Sequence, residues 1–183
     1  MTWNLPNKLT MLRVVMVPFF VAALLYADGT DQRFRIAALV LFVAASYTDH
    51  LDGKIARKYN LITNFGKFMD PLADKLLVCS ALICFVQLNE LPAWIVIVII
   101  AREFIISGFR LIASDQGIVI AASMWGKAKT VSQMACIVLL LLNFREGPGA
   151  MLTTVMTVVM TVLTIVSLID YLAKNRQVME EKK

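Results

Sequence analysis

An all-α integral membrane protein with six transmembrane helices is predicted by three observations. The chain is 59% hydrophobic with a mean hydropathy of +0.73. Its charged fraction of 17% falls below the roughly 25% usual in soluble domains. The apolar residues form six runs, each near the about 20 residues a helix needs to cross roughly 30 Å of hydrocarbon. At 183 residues one domain, 1–183, is the natural count.

The first span is expected at 7–27, after a short interfacial segment over 2–10 that carries Trp3 and Pro6. Lys8 and Arg13 followed by an apolar core resemble a secretory leader. No clean small-x-small cleavage site follows, so the helix is expected to be retained. Asp28-Gly29 closes it. The second span, 33–57, runs from Arg33 into a polar end, and residues 60–64 break the chain. The third, 67–88, ends at the Asn89–Pro92 turn. The fourth, 92–114, ends at Ser114–Gly117. The fifth, 124–143, and sixth, 150–172, are separated by Gly147-Pro148-Gly149. Repeats and low-complexity segments are absent from the sequence.

Lys and Arg orient the spans. Lys8, Arg13, Lys54, Arg57, Lys58, Lys67, Lys127, Lys129, Lys174, Arg176, Lys182 and Lys183 fall on one side. Arg33, Arg35 and Arg145 fall on the other. Both termini are therefore expected in the cytoplasm, with the chain in the inner (cytoplasmic) membrane. The net charge of +5 does not indicate nucleic acid, because the basic residues flank apolar runs instead of clustering with aromatics. Cys79, Cys84 and Cys136 lie in apolar runs without metal-ligand spacing, and read as buried free thiols.

Asp49, Asp52, Asp70 and Asp74 stand within one short stretch between apolar runs. An Asp at the centre of a membrane helix costs about 2.5–3.5 kcal/mol, so four facing lipid would cost on the order of 10–14 kcal/mol. Bound divalent cation is the expected compensation. Helical spacing puts Asp49, Asp52, Gly53 and Ala56 on one face of the second span, and Gly66, Asp70, Ala73 and Asp74 on one face of the third. Two antiparallel neighbours would bring those faces together near the cytoplasmic side. Oxygen-only ligands suit Mg²⁺ or Mn²⁺, and the carboxylates suffice to bridge two ions. Gly53 and Ala56 leave room for a bulky group, and Arg57 can meet a phosphate.

The order Asp-x-x-Asp-Gly-x-x-Ala-Arg, eight residues, then Gly-x-x-x-Asp-x-x-x-Asp is complete in this chain. It resembles the signature of the CDP-alcohol phosphatidyltransferases. The likeness extends to Leu5-Pro6-Asn7-Lys8-Leu9-Thr10-x-x-Arg13, Asn64-Phe65-Gly66-Lys67, Asp70-Pro71-Leu72-Ala73-Asp74-Lys75, Ala101-Arg102-Glu103-Phe104 and Gly126-Lys127-x-Lys129-Thr130. These segments resemble the bacterial branch whose acceptor is sn-glycerol 3-phosphate. His50 departs from that branch, which usually carries an aromatic there, and reads as a packed interfacial ring.

The resemblance implies transfer of a phosphatidyl group from CDP-diacylglycerol to sn-glycerol 3-phosphate, giving phosphatidylglycerophosphate and CMP. It implies two Mg²⁺ or Mn²⁺ ions on Asp49, Asp52 and Asp70, with Asp74 as a further ligand and as the general base. Gly53, Ala56, Arg57 and Gly66 would line the CDP-lipid site, which Asn7 and Thr10 would reach from the first span. A homodimer is also implied. Other acceptors within the family are inositol phosphate, serine or phosphatidylglycerol.

Further charges interrupt the later spans. Arg110, near the cytoplasmic end, is a candidate for the acceptor phosphate. Lys127 and Lys129 are either phosphate ligands or positive-inside anchors. Arg102 is nearer mid-span, where it meets the phosphate or pairs with a carboxylate such as Glu103 of a partner chain. Asp170 and Lys174 are an ordinary i,i+4 pair. A cation- or proton-coupled transporter is the competing class. The acidic residues crowd one membrane face and no repeated halves with broken helices are evident, which disfavours it.

Overall fold

The computed structural model describes residues 4–58, 63–115, 118, 120, 123–144 and 146–176, without the side chains of 49–58, 64–65 and 67–68. The described residues are helical, with no strand among them. The helices are α1 (Leu5–Leu25), α2 (Gln32–Lys58), α3 (Asn64–Gln87), α4 (Ala93–Asp115), α5 (Met124–Leu142) and α6 (Gly147–Lys174), with a 3₁₀ turn at Tyr26–Gly29. No break separates Leu5–Thr10 from the rest of α1, so the short segment expected ahead of the first span is its first turns. The Asn4 side chain caps α1 by accepting from the Asn7 amide at 3.1 Å, and Pro6 sits in the first turn, where a missing N–H costs nothing. Pro71 stands inside α3, not in its first turn, because that helix begins at Asn64.

The chain divides into two compact units, residues 1–91 with 141–143, and residues 92–140 with 144–183. In the first, α1 packs on both α2 and α3. Its inward face is Pro6, Asn7, Thr10, Arg13, Val17, Phe20 and Leu24, a 3–4 spacing that puts one stripe against the neighbours. Phe20 meets Phe42 at 5.9 Å, and Ala38, Ala45, Ala73 and Ala81 let the backbones approach. Arg13 and Arg35, expected among the flanking charges, are both buried. Arg35 donates to the Gly29 carbonyl at 3.0 Å, to Leu141 O at 3.3 Å, and to both oxygens of Glu90 at 2.6 and 2.8 Å. Gly29 is required there. Its φ is +65°, and a Cβ would stand 2.8 Å from Leu88.

In the second unit α4 packs on α6. Ile106, Phe109, Ala113 and Tyr171 form its core, with Phe109 edge-on to Tyr171 at 5.8 Å. Lys174 pairs with Asp170 at 2.6 Å, the i,i+4 pair that helical spacing predicts. The three cysteines are free thiols, and Cys84 and Cys136 are buried.

Among the described residues α1 with its 3₁₀ extension, α5 and α6 are long and apolar enough to cross a membrane. Residues such as Phe19, Ile97, Phe104, Leu111, Val131, Met151 and Ile169 are exposed. That much apolar surface suits lipid contact better than water. The other three helices are of similar length but carry charges in their interiors, among them Arg35, Asp70, Asp74, Arg102, Glu103 and Arg110.

Candidate functional site

In the first unit, the start of α3 is fixed on α1 by side chains. The Thr63 hydroxyl accepts from the Gly66 amide at 3.0 Å, capping α3. The same hydroxyl donates to Asn7 Oδ1 at 2.9 Å. One turn along α1 from Asn7 and one along α3 from Gly66, the Thr10 hydroxyl donates to Asp70 Oδ1 at 2.6 Å. Asn7 and Thr10 are buried, Gly66 is buried, Asp70 is half-buried and Asp74 is exposed. The expected grouping of Asn7, Thr10, Gly66 and Asp70 is therefore present at one place.

A side chain at Gly66 would not fit freely. Its Cβ would lie 3.1 Å from Asn7 Oδ1, 3.3 Å from Thr63 Oγ1 and 3.6 Å from Asp70 Oδ2. Protein oxygens alone thus restrict this position, before any ligand is considered. Thr63 is the residue that motif reading missed. A Thr directly ahead of a helical run, three residues before the amide it caps, is a readable helix-start signal.

Arg13 lies on the same face of α1, and its Nε donates to the Ala45 carbonyl of α2 at 3.3 Å. Ala45 is one turn ahead of Asp49. The backbone of Asp49, Asp52, Gly53, Ala56 and Arg57 forms the last turns of α2. Their side chains, and that of His50, lie outside the described residues.

Among the described residues no three Asp, Glu, His or Cys side chains converge, and Asp49 and Asp52 are not among them. The donors that are described fit a hard cation. Asp70 and Asp74 offer carboxylate oxygens on successive turns of one helix, about 6 Å apart along its axis. Asp70 takes a hydrogen bond from a neutral hydroxyl and forms no ion pair among the described residues. A carboxylate so placed has charge left to neutralise.

The second unit holds a buried charged network. Arg102 donates to Glu103 Oε1 at 3.0 Å and to the Ser167 hydroxyl at 3.2 Å. Lys129 donates to the same Glu103 oxygen and to Gln133 Oε1. An ammonium only donates, so the amide oxygen of Gln133 must face it. The Gln133 Nε2 is left buried and without a partner among the described residues. Arg102 thus pairs with Glu103 of its own chain, where the sequence reading weighed Glu103 of a partner chain. Two cations share one carboxylate. Gln133 and Ser167 were not among the expected site residues. Gln133 is readable as the i+4 neighbour of Lys129, whereas Ser167 is 65 positions from Arg102 and gives no local signal. Arg110 and Lys127 are exposed, Arg110 with its guanidinium 5.9 Å from the Tyr171 ring centre.

Comparison with known proteins bears on both units. The profile of the CDP-alcohol phosphatidyltransferase family matches residues 3–169. The chain is 48% identical over 150 residues to the CDP-diacylglycerol–glycerol-3-phosphate 3-phosphatidyltransferase of Bacillus subtilis (strain 168), covering 77% of this chain and 78% of that protein. It is 42% identical over 171 residues to a probable phosphatidylglycerophosphate synthase of Mycobacterium tuberculosis (strain ATCC 25618 / H37Rv), covering 93% and 81%. Over 177 residues it is 39% identical to the Haemophilus influenzae protein that carries the same name as the Bacillus one, covering 94% and 93%. With its aspartate signature complete on α2 and α3 and the family profile spanning nearly its whole length, the chain belongs to the CDP-alcohol phosphatidyltransferase family.

Proposed function

We propose that this chain transfers the phosphatidyl group of CDP-diacylglycerol to sn-glycerol 3-phosphate, giving phosphatidylglycerophosphate and CMP. The observation that carries the reading is the 48% identity to a protein named for that reaction, over a stretch of 150 residues. The family profile covers both compact units, which supports treating 1–183 as one catalytic domain.

The acceptor hydroxyl attacks the phosphorus that bears the diacylglycerol. Asp74 takes the hydroxyl proton, and the P–O bond to CMP breaks with its electron pair leaving on CMP. Asp49, Asp52, Asp70 and Asp74 would hold two Mg²⁺ or Mn²⁺ ions, which would neutralise the diphosphate and the departing CMP. Gly53, Ala56, Arg57 and Gly66 line the nucleotide site, and Asn7 borders it through its contact with the α3 cap. Arg110 and Lys127, exposed on the second unit, meet the acceptor phosphate. Arg102 and Lys129 lend positive potential from the Glu103 network.

All six helices span the inner membrane, with the termini and the α2–α3 loop in the cytoplasm, and the enzyme acts as a homodimer. Acyl chains then stay in lipid while the diphosphate enters a polar interface.

The test is CMP release by purified protein in detergent, from CDP-diacylglycerol with glycerol 3-phosphate, inositol phosphate, serine or phosphatidylglycerol as acceptor. Release is expected with glycerol 3-phosphate alone, and it should stop in excess EDTA and return with Mg²⁺ or Mn²⁺. Release with another acceptor would overturn the substrate assignment; full rate in EDTA would overturn the metal assignment.

A further inference from the structure

Thr10 is fully buried, and its hydroxyl has one proton and two acceptors within reach. The carbonyl of Pro6 is 3.1 Å away and Asp70 Oδ1 is 2.6 Å away. The carboxylate is closer and charged, and charge-assisted bonds of this length are the stronger kind. The proton therefore goes to Asp70. A β-branched Thr on a helix has few rotamers, so the hydroxyl is held where it stands. The Asn7–Thr63 contact at 2.9 Å pins the start of α3 to the same face of α1. With Oδ1 committed to Thr10, the carboxylate can no longer swing, and Oδ2 is the oxygen on the Gly66 side.

We propose that Thr10 is a positioning residue that holds Asp70 in its ligating orientation, and is not a contact of the CDP-lipid. This rests on the reading of Asp70 as a metal ligand. Hydrogen-bond partners of ligating carboxylates commonly contribute 10- to 100-fold in metal affinity, so the effect should be read on the metal itself.

The experiment titrates Mn²⁺ into the purified full-length protein in detergent, following free Mn²⁺ by electron paramagnetic resonance. The variants are Thr10→Val, which keeps shape and loses the hydroxyl, and Thr10→Ser, which keeps the hydroxyl. Thr10→Val is expected to weaken Mn²⁺ binding about 10- to 100-fold. Thr10→Ser should restore it to within about threefold, and the donor KM at saturating Mn²⁺ should stay at the parent value in both. Should Thr10→Val fail to fold, Thr10→Ala is titrated in its place with the same expectation. A Val or Ala variant that binds Mn²⁺ like the parent overturns the proposal, as does a raised donor KM with Mn²⁺ affinity intact. A parent that binds no Mn²⁺ overturns the metal reading itself, and is thereby distinguished from a failure of Thr10 alone.

Discussion

Arg35 grips Glu90 with two guanidinium nitrogens while its other contacts reach the carbonyls of Gly29 and Leu141. One side chain thus ties the α1–α2 turn, the end of α3 and the end of α5 within the first unit. Its side chain is 1% exposed and that of Glu90 is 23% exposed. Removing one member of a buried pair costs about 3–5 kcal/mol; the partial exposure of Glu90 puts this case at the low end. Arg35→Ala should lower stability by about 3 kcal/mol. Arg35→Lys should not rescue it, because an ammonium cannot reproduce the fork. Thermal midpoints in mild detergent check both, and a wild-type midpoint for Arg35→Lys would defeat the fork argument.

Glu103 is shared by Arg102 and Lys129, and Lys129 is 2% exposed. Glu103→Gln removes the carboxylate that both cations share, a loss of about 3–5 kcal/mol. Adding Lys129→Met removes one of those cations and should recover part of it. The two substitutions remove one negative and one positive charge, so the net charge of the cluster is unchanged and the acceptor KM of a stable double variant should stay at the parent value if potential is what the cluster supplies. A raised acceptor KM in a stable double variant would give the Lys129 ammonium a role of its own.

Asp74→Asn should cut kcat by about 10²–10⁴-fold, since an amide cannot take the acceptor proton. Asp74 is exposed on α3, where a substrate hydroxyl can approach. Donor binding should survive better in Asp74→Asn, which keeps the proposed main ligands Asp49, Asp52 and Asp70, than in Asp49→Asn, which breaks that set. Single-turnover CMP release and equilibrium binding of the donor make the comparison. A near-normal rate would remove Asp74 from the chemistry.

Helix bounds were legible because apolar runs and turn residues agree. The expected 92–114 and 124–143 differ from α4 and α5 by a residue or two. Asn89, with a left-handed φ of 58°, closes α3 at the turn its sequence announces. The α3 carboxylates were legible from helical spacing, and Asn7 and Thr10 only from the family resemblance. Partners far apart in sequence were not. Arg35 reads as a flanking surface charge until Glu90, 55 positions away, is beside it. The pairing of Lys129 with Glu103 hides in the same way. Charge counting sees that a cation exists, but only packing decides whether lipid, water or a carboxylate surrounds it.

Orientation can be tested with placed cysteines. Asn60→Cys should be shielded from an impermeant thiol reagent in intact cells, and Glu146→Cys should react. Glu146 is preferable to its neighbour Gly147, whose φ of +74° disfavours any side chain. The native thiols do not confuse the readout, because Cys84 and Cys136 are buried and Cys79 is partly so. Labelling of Asn60→Cys with protection of Glu146→Cys would invert the assigned topology.

Arg110 and Lys127 are the proposed contacts of the acceptor phosphate. Both are exposed, and neither forms an ion pair among the described residues, in contrast to Arg102 and Lys129. An exposed cation without a carboxylate partner is available to a phosphate dianion, and bonds between charged groups are the strong ones. Neutral acceptors such as the serine hydroxyl end need no such pair. Arg110→Ala and Lys127→Ala should each raise the KM for glycerol 3-phosphate about tenfold, as expected for loss of about 1.4 kcal/mol of binding, and leave the donor KM nearly unchanged. The Arg110 change should also spare the fold, since its contact with Tyr171 is a single cation–π approach at 5.9 Å. Inositol phosphate satisfies the same charge requirement, so it belongs in the assay as a competitor. Stronger competition by inositol phosphate than by glycerol 3-phosphate, or a defect confined to the donor KM in both variants, would defeat the acceptor assignment and leave the family membership standing.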